Sequence, residues 1–242
     1  MANVKTKGII LSEHNLGDFD KMLTMLTPGT GVISCVAKGA RRPKSALLAP
    51  TQMFCFADYV MYKGTSTYHI NSAETIEMFY NIRTDLDKLK YAVHINKIIL
   101  DVVHEDQNSY RILQLLLNTL YTISETDKDL DFVLSVFKLR LLTLLGFTPR
   151  YNRCSCCNKE NNITNFSVRY NGIECENCAR TDKSAIYISE STLNAIKYTI
   201  MAPAKKLYSF NLKGESLKEF NLLVKIYFNE KLEKEYKIED IF

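Results

Sequence analysis

Five cysteines crowd into 25 residues of this chain: Cys154, Cys156, Cys157, Cys175 and Cys178. The spacing is Cys154-x-x-Cys157, 17 residues, then Cys175-x-x-Cys178, which matches zinc ribbons and knuckles. Two residues between cysteines let one tight turn aim both sulfurs at one ion, and Zn²⁺ takes four thiolates tetrahedrally. Such a site is structural, because four thiolates leave no position open for water. The intervening segment reads as a hairpin: Phe166-Ser167-Val168-Arg169-Tyr170 and Ile173-Glu174 flank Asn171-Gly172, a strong turn signal between β-like runs. Cys156 reads as a bystander, although it could exchange in as a ligand. Metal-free reduced thiols are the competing reading.

A second cluster is cationic. No acidic residue occurs between Asp20 and Asp58, and within that stretch lies Lys38-Gly39-Ala40-Arg41-Arg42-Pro43-Lys44. Lys38, Arg41, Arg42 and Lys44, held out by Gly and Pro, form a plausible phosphate-contacting edge. The alternative is a solvated basic loop. Further cations that could extend a track are Lys5, Lys7, Lys138, Arg140, Arg150, Arg153, Lys205 and Lys206. Phe54, Phe56, Tyr59, Tyr62 and Tyr68 are candidate stacking rings. Alternation sets Phe54, Phe56 and Tyr62 opposite Tyr59, and one face must fill the barrel, so most of these rings are expected in the core.

The elements that position these groups fall in four stretches. Residues 1–80 read as β structure, with apolar runs at Thr6–Leu11, Val32–Ala37, Phe54–Tyr62 and Tyr68–Ile70 bounded by Gly, Asn or Pro. Four or five strands at this spacing suggest a small barrel, a type that often binds nucleic acid. Residues 81–150 form the first part of a helical domain. Apolar positions from Leu86 to Val103 recur at helical spacing. Further helices fit Tyr110–Ser124 and Asp127–Leu145, the last apolar nearly all round and ended by Gly146. Residues 151–181 form the cysteine module. Residues 182–242 are the second helical part, with Ser189 capping one helix and Ser216-x-x-Glu219 a capping box for the last, to about Asn229. The class is α+β multidomain.

The bulk composition excludes several functions. Of 242 residues 46% are hydrophobic, and net charge is +4, as in an ordinary globular protein. No apolar run is long enough to span a membrane, and Met1–Lys5 lead into a strand-like pattern without the long apolar stretch of a signal peptide, so none is expected. A cytoplasmic, reducing location follows, in which clustered cysteines point to metal. Cys35 and Cys55, alone in apolar runs, read as buried hydrophobes. His14, His69, His94 and His104 are scattered, and no phosphate-binding Gly-x-x-x-x-Gly-Lys-Ser/Thr loop exists. No catalytic activity is expected. A scaffold without nucleic-acid affinity is a further alternative.

The chain resembles the RecO family of bacterial recombination mediators. The resemblance is carried by Gly8-Ile9-Ile10-Leu11, by Asp20–Thr27 with Gly29 and Gly31, and by Ala37-Lys38-Gly39-Ala40-Arg41-Arg42. Leu145-Gly146-Phe147-Thr148-Pro149, just before the cysteines, also fits. The resemblance covers essentially the whole chain. It implies an N-terminal OB-fold domain and a helical domain with an inserted zinc module ligated by Cys154, Cys157, Cys175 and Cys178. It implies binding of single- and double-stranded DNA through Lys38, Arg41, Arg42 and Lys44, annealing of complementary strands, and a nucleoid-associated location. The implied partners are RecR, the C-terminal tail of single-strand-binding protein (SSB) and, indirectly, RecA. The alternative is a zinc-ribbon OB-fold factor acting on RNA. The terminal Ile238–Phe242, acidic then apolar, resembles the tail such proteins bind.

Overall fold

A computed structural model describes residues 3–238. The chain forms two compact units, one running to Glu125 and the other covering Thr126–Lys237.

The first unit opens with five strands: β1 (Asn3–Leu16), β2 (Asp20–Thr27), β3 (Gly31–Ala37), β4 (Phe56–Lys63) and β5 (Tyr68–Glu77). They close into a barrel of order β1-β2-β3-β5-β4, the OB arrangement. All pairings are antiparallel except the short parallel closure of β3 on β5. Alternation fills the interior: Leu23, Met25, Ile33, Cys35, Ala57, Tyr59, Met61 and Ile70 pack together, as period-two strands require. The two lone cysteines are buried as expected, and burial, then the nearby Glu105 charge, push the Cys35 thiol up to about 12. β2 escaped the reading from sequence because its apolar positions crowd together instead of alternating cleanly.

Three helices follow in the same unit: α1 (Tyr80–Arg83), α2 (Leu86–Val102) and α3 (Tyr110–Glu125). Asp85 caps α2, accepting from the amides of Asp87 and Lys88. α2 packs on β1 and α3 on β2, and the buried Asn96 amide donates to the Leu11 carbonyl at 2.9 Å. The α2–α3 connection is laced to the β2–β3 turn by Asp106 N–H to Thr30 O and Ser109 N–H to Pro28 O, each 2.9 Å. A Cβ on Gly31, at φ +72°, would stand 2.1 Å from the His104 carbonyl oxygen, so only glycine fits.

The second unit is built on α4 (Leu130–Leu144), capped by Asp129, whose residues Phe132–Leu139 are all buried. A three-stranded sheet follows, β6 (Ile163–Ser167), β7 (Gly172–Cys175) and β8 (Ala185–Tyr187), in the order β7-β6-β8, with α5 (Glu176–Ala179) after β7. α6 (Glu190–Met201) and α7 (Gly214–Leu232) complete the unit and pack with α4. Ser189 caps α6 as expected. The capping box proposed for the last helix is absent. α7 begins at Gly214, and the Glu219 carboxylate instead accepts from Ser189 N–H at 2.9 Å and Thr192 Oγ1 at 2.8 Å. Glu219 thus finishes the neighbouring helix, and α7 runs on to Leu232. No described helix is long and apolar enough to cross a membrane.

The barrel interior also holds the loop above it. Tyr59, 1% exposed, donates its hydroxyl to the Pro50 carbonyl at 2.6 Å. Tyr59→Phe orphans a buried acceptor, so stability should fall by about 1–3 kcal/mol. Urea denaturation should give a lower midpoint at unchanged slope; an unmoved midpoint would mean that carbonyl finds another donor.

Candidate functional site

Two clusters carry chemistry, one in each unit. In the second, the sulfurs of Cys154, Cys157, Cys175 and Cys178 all lie within 4.8 Å of one another. The Cys154 turn is closed by Cys154 N–H to Lys159 O at 2.7 Å and Asn158 N–H to Cys154 O at 3.0 Å, with Asn158 at φ +63°. The second pair lies at the junction of β7 and α5. What brings the pairs together is backbone pairing: Ser155 N–H to Ile173 O, Ile173 N–H to Arg150 O and Arg150 N–H to Asn171 O, at 2.8–2.9 Å. A Cβ on Gly172 would meet Arg150 O at 2.4 Å and Ser155 Oγ at 2.6 Å, so this approach needs glycine.

The hairpin between the pairs exists, but its turn is longer than Asn171-Gly172 alone. Ser167 pairs with Gly172, so Val168–Asn171 make the turn, with Asn171 at φ +54°. β8 adds a strand the spacing did not suggest. Phe166 packs edge-on against Tyr227 of α7 at 5.2 Å, tying the module to the helical core. Asp182 accepts from Ser167 and from Ser184 N–H. Burial would raise its carboxyl, but these hydrogen bonds prevail and hold it below the usual range.

The sulfur geometry suits one soft cation. A tetrahedral ion with Zn–S near 2.3 Å sets its sulfurs about 3.8 Å apart, and Cys157 and Cys175 lie at 3.7 Å. Burial works to raise the Cys154 thiol, but the backbone amides of Cys157, Cys175 and Cys156 outweigh it and hold it at about 7. Burial, then the thiols of Cys157, Cys175 and Cys154, push Cys178 up. Four thiolates at this spacing repel one another unless a cation joins them. Cys156 turns elsewhere, donating to Glu174 Oε1 at 3.3 Å.

In the first unit, the chain between β3 and β4 crosses one end of the barrel as a run of turns. Arg42 N–H donates to Gly39 O, Ser45 N–H to Arg42 O, Leu48 N–H to Ser45 O and Thr51 N–H to Leu47 O, at 3.0–3.3 Å. Ala40, Leu47 and Phe54 are buried beneath it. Lys38, Arg41, Arg42 and Lys44 are all exposed on it, so the four cations stand on one short, braced segment. The bracing comes from the β1–β2 turn: Gly39 N–H donates to Asp20 Oδ1 at 2.7 Å, Arg41 N–H to Phe19 O at 2.9 Å and Arg41 Nη1 to Gly17 O at 3.2 Å. Phe19 was missed in the sequence. It stands 49% exposed, its ring centroid 5.5 Å from the Arg42 guanidinium carbon.

Most of the candidate rings belong to the core, as expected, and two of the further cations are engaged internally. Phe54 and Tyr59 are each 1% exposed and Tyr68 is 9% exposed, so none is an open stacking face. Phe56 and Tyr62 are half-buried, and Tyr62 already stacks on His69 at 4.9 Å. Lys138 is 5% exposed, its ammonium over the Phe228 ring. Arg140 donates to the carbonyls of Thr199, Ile200 and Ala202 at the end of α6. Neither extends a surface track. Of the terminal Ile238–Phe242 segment, residues 239–242 lie outside the described residues.

An OB barrel with a braced cationic crossover, joined in sequence to a helical unit bearing a four-thiol knuckle, defines a two-unit α+β class. The family described as Recombination protein O N terminal matches residues 1–79, and that described as Recombination protein O C terminal matches residues 83–238. The chain is 40% identical over 237 residues to the DNA repair protein RecO of Acetivibrio thermocellus, covering 98% of this chain and 94% of the relative. It is 34% identical to that of a Thermoanaerobacter species, covering 99% and 97%, and 33% identical to that of Alkaliphilus metalliredigens, covering 93% and 92%. The chain therefore belongs to the RecO family of DNA repair proteins.

The thiol geometry is testable with cobalt(II), whose tetrahedral thiolate complexes absorb in the visible. The full chain should bind one equivalent with that spectrum and release protons on doing so, so binding weakens in acid. Cys156→Ser should leave the spectrum intact, and Cys157→Ser should abolish the four-sulfur signature. Loss of the signal in Cys156→Ser alone would put the wrong sulfur in the site.

Proposed function

We propose that this protein is a DNA-binding recombination mediator that acts by charge neutralisation, without catalysis. The observation that carries this reading is the braced crossover, which displays Lys38, Arg41, Arg42 and Lys44 together at one barrel end. Two strands repel through their phosphates. A surface that neutralises phosphates lets complementary strands approach, and base pairing then supplies the free energy of annealing. Such contacts serve both single and double strands, because phosphates carry no sequence information.

Family membership supports the rest of the assignment. In this reading the protein works with RecR, recognises the C-terminal tail of SSB and helps RecA load onto SSB-coated strands. Cys154, Cys157, Cys175 and Cys178 hold Zn²⁺, which closes the module as a structural crosslink and leaves no position for water. The chain's own residues do the remaining work: Phe166 anchors the module on α7, and the crossover grips the backbone.

Binding to oligonucleotides should weaken with salt, with a log–log slope of about −0.7 per phosphate neutralised on single strands. Replacing Arg41, Arg42 and Lys44 together by Ala should flatten that slope by roughly two, weaken all sequences alike and slow annealing of SSB-coated strands. Unchanged slope and annealing in the triple variant would dismiss the crossover as the binding surface. A marked preference for RNA of the same sequence would redirect the reading to an RNA factor.

A further inference from the structure

The β1–β2 turn presents an aromatic ring beside the cationic crossover. Phe19 is 49% exposed, so its ring forgoes much of the stabilisation that burial gives a phenyl side chain. Its backbone is nonetheless fixed: its carbonyl accepts from Arg41 N–H, the preceding turn accepts from the Arg41 guanidinium, and Asp20 holds Gly39. Arg42 lies over the ring. Ring and cations therefore belong to one surface. Beside the ring, Asp20 is occupied by Gly39 N–H and Asp18 is exposed.

Phosphate contacts alone leave an annealing protein with a difficulty. Duplex DNA carries a charge per about 1.7 Å of axis, more densely than one strand, so a purely cationic edge holds its product at least as well as its substrate. A ring that only unpaired bases can reach reverses that preference. Stacking on an aromatic side chain tolerates any base, because every base has a π-face.

Resting on the DNA-binding reading above, we propose that Phe19 is a base-stacking residue for single strands. A nucleobase lies on the ring face opposite Arg42, while Arg41, Arg42 and their neighbours hold the flanking phosphates. Pairing with the complement withdraws the base from the ring, so annealing itself loosens the grip and favours release of the duplex.

The chain contains no tryptophan, so Phe19→Trp introduces a single indole at this position. Its emission should be quenched on adding oligothymidylate and should not change with an abasic oligomer of equal length and charge. Phe19→Ala should lower single-strand affinity roughly five- to a hundredfold, with the salt slope and duplex affinity unchanged. Wild-type salt-dependent binding, with no quenching in Phe19→Trp and full affinity in Phe19→Ala, would overturn the stacking role and leave the cationic reading standing. A wild-type chain that ignores DNA at low salt would overturn both.

Discussion

Barrel closure is the constraint from which the cationic surface follows. β4 must lie between β1 and β5, not beside β3, so the chain leaving β3 has to travel across the barrel end before β4 can begin. A connection of that length laid over an apolar interior must bury some side chains and satisfy its own amides. Here Ala40, Leu47 and Phe54 are buried, the successive turns take up the N–H groups, and Tyr59 reaches up from the core to Pro50. Lys38, Arg41, Arg42 and Lys44 are among the side chains left exposed on it. Charge is displayed where it is because closure fixes the backbone beneath it.

The cysteine module solves a different problem with little hydrophobic material. Its strands are short and its loops rich in polar residues, so left-handed asparagines and a close approach at Gly172 set the turns. Four thiols held within 4.8 Å are tolerable as neutral groups and strained as anions, which makes the module's order sensitive to a bound cation. Phe166 against Tyr227, and Tyr227 O–H to Phe147 O at 3.1 Å, are the links that tie it to α7 and to the end of α4's chain segment.

Much of this was legible from periodicity and spacing. The cysteine quartet, the buried run of α4, the Ser189 cap and the crossover cations each depend on residues near one another in sequence. What escaped depended on partners far away. Glu219 looked like part of its own helix's cap because Ser216 stands three residues before it, but Ser189 and Thr192 offer better donors from a neighbouring helix. That Phe54 and Tyr59 are both core could not be read from alternation, because Phe54 precedes β4 and is buried from the crossover. Phe19, on a turn preceded by Gly17 and Asp18, had a local signal: an aromatic residue at a hairpin tip, outside either strand's apolar face.

The lacing of the α2–α3 connection to the β2–β3 turn bears on how far the barrel's compact unit extends along the chain. The two family matches meet between residues 79 and 83, whereas the compact unit continues through Glu125. Severed at that seam, the barrel would lose the N–H donors to the Pro28, Thr30 and Leu11 carbonyls and the helices covering β1 and β2. The N-terminal family match is thus shorter than the compact unit that contains it. A cut at that seam would divide one packed core, and the close approach of Gly31 to the His104 carbonyl is one of the fits that both halves must share.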